Sequence, residues 1–405
     1  NILRRPLVCA LFQRLIPLFI AAFLMTSCAF VDKEKPPARL TAFDFNSLEN
    51  WENDAHNNAL AAFAVSCEKS LLKKDPTDRI GPLAEDGWPV GGTASDWREP
   101  CQSAVLMMDS AQKPGPAEAR AFFEKWFRPW AVSAGSRFKG LFTGYYEPQL
   151  YGSRERQRAY QTPLLAKPDD LVMADLGMFR DDLSGRRIAG RVIDGRLYPY
   201  EDRADIGKGR LPPESFEPIV WIDDPIDAFF LHIQGSGQVV LEDGTVTRVG
   251  YAGQNGHPYY AIGRELVKRD ILDKDEVSMQ SIEHYLRTNP DQMEEILHTN
   301  PSYIFFRELE DGPIGAQGVV LTPERSLAID YTKLPYGAPI WVDIAPPVQN
   351  LGRVQRLMVT QDTGGAIRGA VRGDVYWGSG TRAEEIAGQM KSLGRKWILL
   401  PRSIE

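Results

Sequence analysis

Chemistry-bearing residues concentrate between Gln361 and Gly378, where two carboxylates, Asp362 and Asp374, flank a glycine-rich turn. The stretch reads as a strand entering from Leu357-Met358-Val359, a turn at Thr363-Gly364-Gly365, and a second strand that carries Asp374 beside Val375, Tyr376 and Trp377. A carboxyl group among bulky apolar neighbours has its charged form disfavoured, so its pKa rises towards the range of a general acid. Strand alternation puts Tyr376 on the face of Asp374 and Val375 and Trp377 on the other. Asp362 suits a side chain that caps the following turn, or one that orients a ligand and tunes Asp374. The glycines Gly364, Gly365, Gly369, Gly373, Gly378 and Gly380 would let a backbone or a polysaccharide approach closely.

A second cluster is Phe229-Phe230-Leu231-His232-Ile233-Gln234-Gly235-Ser236-Gly237. Read as a strand, it leaves Gln234 and Ser236 facing the same way. Amides and hydroxyls on an open surface suit sugar hydroxyls and acetamido groups, although a hairpin with polar tips fits the same residues. Tyr251-Ala252-Gly253-Gln254-Asn255-Gly256-His257-Pro258-Tyr259-Tyr260 adds Asn255 and aromatic faces of the kind that carry sugar rings or fill cores. The histidines (His56, His232, His257, His284, His298) have no metal-ligand spacing, so no metal site is expected. A Gly-x-Ser-x-Gly elbow and a phosphate-binding glycine loop are both missing, and no cofactor is expected. Asp362-Thr363-Gly364 matches the catalytic triplet of aspartic peptidases. Those enzymes need two aspartates sharing a proton, and no second Asp-Thr-Gly or Asp-Ser-Gly occurs.

The elements that must position these groups begin after a leader. Arg4, Arg5 and Arg14 precede the apolar run Leu15 to Met25 and then Thr26-Ser27-Cys28. That pattern is a secretory signal whose apolar part is too short to span a bilayer. A cysteine at the cleavage point resembles a bacterial lipoprotein signal, with residues 1–27 removed and Cys28 lipidated. Ala29 after it favours the outer membrane by analogy with sorting rules. Residues 28–45, with Asp32-Lys33-Glu34-Lys35-Pro36-Pro37, read as a tether. Losing the leader takes the formal net charge from −7 to −10, because three arginines leave with it. An acidic body without a basic stripe argues against a nucleic-acid partner. Cys67 and Cys101, the only cysteines of the exported body, are expected to pair in an oxidising compartment. Closing a loop of roughly 35 residues stabilises by about 3–4 kcal/mol in the chain-entropy model.

The chain's 405 residues, 43% hydrophobic and 25% charged, suffice for two domains. Helical spacing runs from about Leu48 to Leu72. It resumes from Pro116 through Ala121, Phe122, Trp126 and Trp130. Strand-like pieces follow at Phe142 to Glu147, Arg191 to Ile193, Ile219 to Trp221, Phe229 to Ile233, Gln238 to Leu241 and Thr245 to Val249. Helices are expected over about 258–269, 275–287 and 290–298, then strands at Tyr303 to Phe306, Val319 to Leu321 and Pro339 to Val342. A helix near 382–392, ended by Gly394, precedes a last strand at Trp397 to Leu400. Short strands with few helices point to β-barrel architecture over a parallel α/β sheet.

Five ordered segments together resemble the membrane-bound lytic murein transglycosylase A family. They are Phe142-Thr143-Gly144-Tyr145-Tyr146-Glu147-Pro148, His232 to Gly237, Tyr251 to Gly256, Pro301-Ser302-Tyr303-Ile304-Phe305-Phe306, and Asp362 to Gly378. The resemblance covers roughly residues 100–400. It implies a mainly β protein in which residues 46–149 and 301–405 form a double-psi β-barrel. Residues 150–300 form an inserted β-rich substrate-binding domain, with the groove between the two. It implies Asp374 as the single catalytic acid, and Asp362, Gln234, Ser236, Tyr145, Thr143 and Asn255 as substrate-binding residues. The implied reaction cleaves the bond between N-acetylmuramic acid and N-acetylglucosamine by attack of the muramoyl C6 hydroxyl on its own C1. One carboxyl then suffices where ordinary glycosidases need two. Glycan strands of peptidoglycan are the implied partner, in the periplasm at the outer membrane, with cell-wall synthesis complexes as further candidates. A murein-binding lipoprotein without catalysis is the alternative.

Overall fold

The computed structural model describes residues 38–84, 87–183 and 186–404; the leader, Cys28 and the tether up to residue 37 lie outside the described residues. The chain starts with β1 (Ala38–Ala42), α1 (His56–Lys69), α2 (Ala94–Asp109), α3 (Pro116–Trp126), β2 (Phe127–Ala134) and β3 (Gly140–Glu147). The sequence reading did not anticipate α2. A capping box starts it, in which the Asp96 carboxylate accepts the Thr93 backbone N–H at 2.9 Å. Pro100 in its interior hides it from a propensity reading. Cys67 of α1 and Cys101 of α2 form a fully buried disulfide. Trp130 belongs to β2, where it pairs with Ala42, and not to the preceding helix.

The middle of the chain runs through β4 (Gln149–Ser153), β5 (Thr162–Leu165), β6 (Val172–Asp175), β7 (Arg187–Ile193) and β8 (Arg196–Pro199). Next come α4 (Arg203–Gly207), β9 (Pro218–Ile222), α5 (Pro225–Gln234), β10 (Ser236–Leu241) and β11 (Val246–Gln254). Then follow α6 (Ile262–Lys268), α7 (Met279–Thr288), α8 (Pro290–His298) and β12 (Ile304–Leu309). The run Phe229 to Ile233, expected as a strand, is the body of α5. Asp224 accepts the Ile226 N–H at 2.7 Å as N-cap, Pro225 occupies the first turn, and Gly235 closes the helix at φ 83°. These start and stop signals outweigh the β-like composition of five residues.

The last segment contributes β13 (Ser326–Ile329), β14 (Pro339–Ile344), β15 (Val354–Asp362), β16 (Gly373–Ser379), α9 (Thr381–Gln389) and β17 (Lys391–Pro401). Val319 to Leu321 is not a strand and holds only an isolated bridge, Ile314 to Val320. Gly394 lies inside β17 and does not end α9. A Cβ there would sit 2.8 Å from the Phe142 ring, and one at Gly373 would sit 2.5 Å from the same ring. The two glycines clasp Phe142 between β16 and β17.

The fold is mainly β with few helices. β12-β11-β10-β4-β9-β5 form one sheet and β6-β7-β8 another. The first and last parts of the chain share the third sheet, β1-β2-β17-β14-β15-β13-β16-β3. Strand β17 also pairs back onto β3 through Lys391 to Gly394, while its later residues pair with β2 and β14. The core of this part gathers Phe63, Trp97, Phe123, Phe127, Phe142 and Trp341, all fully buried. The middle sheet has its own core around Leu150, Leu164, Val220, Leu231, Val249 and Phe306.

Candidate active site

Strand β13 separates the two aspartates. Ala328 pairs with Asp362 of β15 on one side and with Asp374 of β16 on the other. On the far side of β16, parallel β3 sets Thr143 opposite Asp374 and Tyr145 opposite Tyr376. The period-2 pleat puts Thr143, Tyr145, Asp374 and Tyr376 on one face. The rings of Tyr145 and Tyr376 lie 5.3 Å apart there.

The carboxylates are held differently. Asp362 Oδ1 accepts the backbone N–H of Ala316 and of Thr363, each at 2.8 Å, and Oδ2 accepts the Tyr145 hydroxyl at 2.8 Å. Asp374 Oδ1 accepts the Thr143 hydroxyl at 2.6 Å. Its Oδ2 receives no hydrogen bond from the described residues and is not sealed from solvent. Both side chains are half-buried. Burial pushes the Asp374 carboxyl up to about 6, against the opposing pull of Arg372 and Thr143 and with added repulsion from Asp362. Burial also raises Asp362, offset by its three donors. The Tyr145 hydroxyl is raised by burial and then by the Asp362 charge beside it.

Two cations that the sequence reading did not single out complete the surroundings. Arg372 Nη2 donates to Thr143 Oγ1 at 2.7 Å, and burial pulls its guanidinium down against the attraction of Asp374. Lys396, 1% exposed, donates Nζ to the Arg372 carbonyl at 2.9 Å. Burial first, and the nearby Arg372 charge second, lower its ammonium to about 7, against the attraction of Asp330. Arg372 was open to discovery, because alternation puts it on the side of Asp374, two residues later. Lys396 showed itself only as the second of two adjacent cations, Arg395-Lys396, before Trp397-Ile398-Leu399-Leu400.

Of the other expected site residues, Gln234 sits at the end of α5, where its Oε1 accepts the Tyr146 N–H at 3.2 Å. Ser236 is half-buried at the start of β10, opposite Gly250. Asn255 is 1% exposed. Its amide donates to the carbonyls of Glu201 and Pro301 and accepts from the Tyr303 N–H, so it ties the chain together and is not offered to a ligand. The glycines near Asp374 also have internal reasons: Gly373 faces the Phe142 ring and Gly378 adopts φ 94°. Among the described residues no group of three or more His, Cys, Asp or Glu could hold a metal ion. A carboxyl that titrates near 6 with one open oxygen can give a proton and take one back.

A family model described as the MltA specific insert domain matches residues 141–307, and one described as the 3D domain matches residues 325–400. The chain is 31% identical over 279 residues to membrane-bound lytic murein transglycosylase A of Escherichia coli (strain K12), spanning 67% of this chain and 68% of that relative. The crystal structure of membrane-bound lytic murein transglycosylase from Agrobacterium tumefaciens matches at a TM-score of 0.78 and 32% identity, over 90% of this chain and 98% of that one. E. coli MltA with bound chitohexaose matches at a TM-score of 0.57 and 27% identity, over 76% of this chain and 83% of that one.

Proposed function

The chain belongs to the membrane-bound lytic murein transglycosylase A family, and from that premise we propose that it is a peptidoglycan lytic transglycosylase in which Asp374 is the single acid and base. Protonated Asp374 gives its proton to the glycosidic oxygen between N-acetylmuramic acid and N-acetylglucosamine. The C1–O bond breaks and its electron pair stays with that oxygen. The C6 hydroxyl oxygen of the muramoyl residue bonds to C1 and yields its proton to the Asp374 carboxylate. The acid is restored, a 1,6-anhydro end forms and no water is consumed. Intramolecular attack carries a high effective molarity, which is why no second carboxylate is needed as nucleophile.

One observation supports Asp374 over Asp362. Asp374 has an open oxygen on a carboxyl raised to about 6, whereas donors occupy both oxygens of Asp362. A carboxylate held by three donors also fits poorly with an aspartic-peptidase pair that shares a proton. Chitohexaose bound to the E. coli relative agrees with a polysaccharide substrate.

We read the pairings β17-β14-β15-β13-β16-β3, returned to β17 at Lys391 to Gly394, as a double-psi β-barrel. The inserted domain then runs to the end of β12, past the expected limit at 300, because β12 pairs with β11. Among the described residues no helix is long and apolar enough to cross a membrane. Attachment to the outer membrane would fall to a lipid on Cys28, and cell-wall synthesis complexes are the partners to look for.

The test is digestion of murein sacculi by the wild type and Asp374→Asn, with products weighed by mass spectrometry. The wild type should release anhydromuropeptides, lighter by one water than hydrolysis products, and the variant almost none. Undiminished release by Asp374→Asn would move the acid elsewhere. Failure of the wild type to digest sacculi would favour a binding protein.

A further inference from the structure

Two hydrogen bonds decide where the proton of Asp374 can sit. Arg372 Nη2 lies 2.7 Å from Thr143 Oγ1, and a guanidinium only donates. The Thr143 hydroxyl therefore accepts from Arg372 and directs its own single proton elsewhere. Its other partner is Asp374 Oδ1, at 2.6 Å. Oδ1 must then be an acceptor in both states of the carboxyl: as half of the anion, and as the carbonyl oxygen of the acid. We propose that Arg372 and Thr143 are positioning residues that confine the acid proton of Asp374 to Oδ2, the oxygen left open to a substrate. The inference rests on Asp374 being the acid and adds which of its atoms reacts.

The surrounding frame holds this relay in place. Lys396 Nζ anchors the Arg372 carbonyl from the buried side, and Arg372 Nη1 donates to the Leu141 carbonyl at 3.3 Å. Parallel pairing of β3 with β16 fixes Thr143 beside Asp374. The charged and titratable groups on this side of Asp374 include Arg372 ahead of it on the chain, Tyr376 after it on β16, Asp362 from β15 and Tyr145 from β3, while β13 presents Ala328 at this level. The chemistry uses the same atom twice. The Oδ2–H bond breaks as the glycosidic oxygen takes the proton, and Oδ2 then receives the proton of the C6 hydroxyl as the C6–O–C1 bond forms. Without the relay the proton divides between two oxygens and part of the population aims it away from the bond.

The experiment compares full-length wild type, Thr143→Val, Thr143→Ser and Arg372→Met in kcat against pH on soluble glycan strands released from murein. The Asp374 titration is read separately by carboxyl 13C NMR, and unfolding midpoints are recorded for each variant. Thr143→Val should lower the plateau kcat by about two- to tenfold, about twofold from the divided proton and the rest from the donor that the newly formed carboxylate loses, with KM almost unchanged. It should also move the basic limb and the NMR midpoint up by roughly half to one pH unit, because the anion has lost a donor. Arg372→Met should give the same pairing of lower plateau and higher limb, and Thr143→Ser should keep the wild-type profile. A merely structural role would lower the plateau without moving the NMR midpoint, since the charges and donors around Asp374 would be unchanged. An undiminished plateau in Thr143→Val or Arg372→Met, an unmoved limb, or a folded Thr143→Ser that behaves like Thr143→Val overturns the proposal. The NMR midpoint does not depend on turnover, and Asp374→Asn tests the acid itself, so the two ideas fail separately.

Discussion

Asp362 and Asp374 are the same side chain on the two strands that flank β13, level with the same alanine, yet their surroundings differ. Asp362 is closed: two backbone N–H groups and a tyrosine hydroxyl fill both oxygens. Asp374 is open: one hydroxyl occupies Oδ1, and Oδ2 has no donor among the described residues. Burial raises both carboxyls, so desolvation alone does not separate an acid from a fixed anion. What separates them is how many lone pairs the protein leaves for a substrate. The fixed anion also pushes its neighbour's proton affinity upward, which helps Asp374 remain protonated near pH 6.

The largest expected difference is in rate. Asp374→Asn should cost roughly a hundred- to ten-thousandfold in anhydromuropeptide release, the usual worth of general acid–base catalysis. Asp362→Asn should cost about tenfold or less, because its amide oxygen can still accept the Ala316 and Thr363 N–H groups while the Tyr145 hydroxyl turns to meet the amide. Equal losses at both positions would dissolve the distinction.

Stability should separate them next, with opposite signs. The folded-state pKa of Asp374, about 6, lies above its ordinary 3.8. The folded protein therefore holds this proton more tightly than the unfolded chain, and ionising it costs stability. The cost is absent below pH 3.8, grows up to pH 6 and is complete above it. Asp374→Asn removes that cost and should stabilise by about 1–3 kcal/mol at pH 8, with no gain at pH 3.5. Asp362→Ala should destabilise by about 2–3 kcal/mol, since it strands three donors that water only partly satisfies. Denaturant unfolding at the two pH values reads both effects. A destabilised Asp374→Asn at pH 8 would mean that its anion is better solvated than its surroundings suggest.

The motif around Asp374 was legible because a carboxylate between glycines and aromatic residues is unusual on a strand. Its hydrogen-bond partner could not be read the same way. Thr143 is 231 positions away and reaches Asp374 only through parallel pairing of β3 and β16, and local patterns carry no register between distant strands. Asn255 shows the converse error: an amide beside glycine and tyrosine looks ready for a sugar, yet four backbone groups already hold it. Phe229 to Ile233 was misread because a short, mostly apolar run suits a buried strand or a buried helix equally, and the caps at Asp224 and Gly235 lie outside that window. The mainly β character survived such errors because it rests on many short segments. Lys396 was missed because a cation that tertiary packing buries reads in the sequence as a surface residue.

The smallest expected effect tests whether the two carboxylates are independent at all. Tyr145→Phe removes only the hydroxyl that donates to Asp362 Oδ2 at 2.8 Å. Water can reach a half-buried carboxylate, so the loss should be about 1 kcal/mol of stability and only a few-fold in rate. If Asp362 stays ionised without that donor, its field on Asp374 is unchanged, and the basic limb of the kcat profile should move by less than about 0.3 pH unit. If Asp362 takes up a proton instead, the repulsion that raises Asp374 disappears and the limb falls. A fall approaching one unit would mean that the pair titrates together, with midpoints that belong to both residues and to neither alone. The contrast between a closed and an open carboxyl would then give way to a shared proton, and Tyr145 would be what keeps that proton on the Asp374 side.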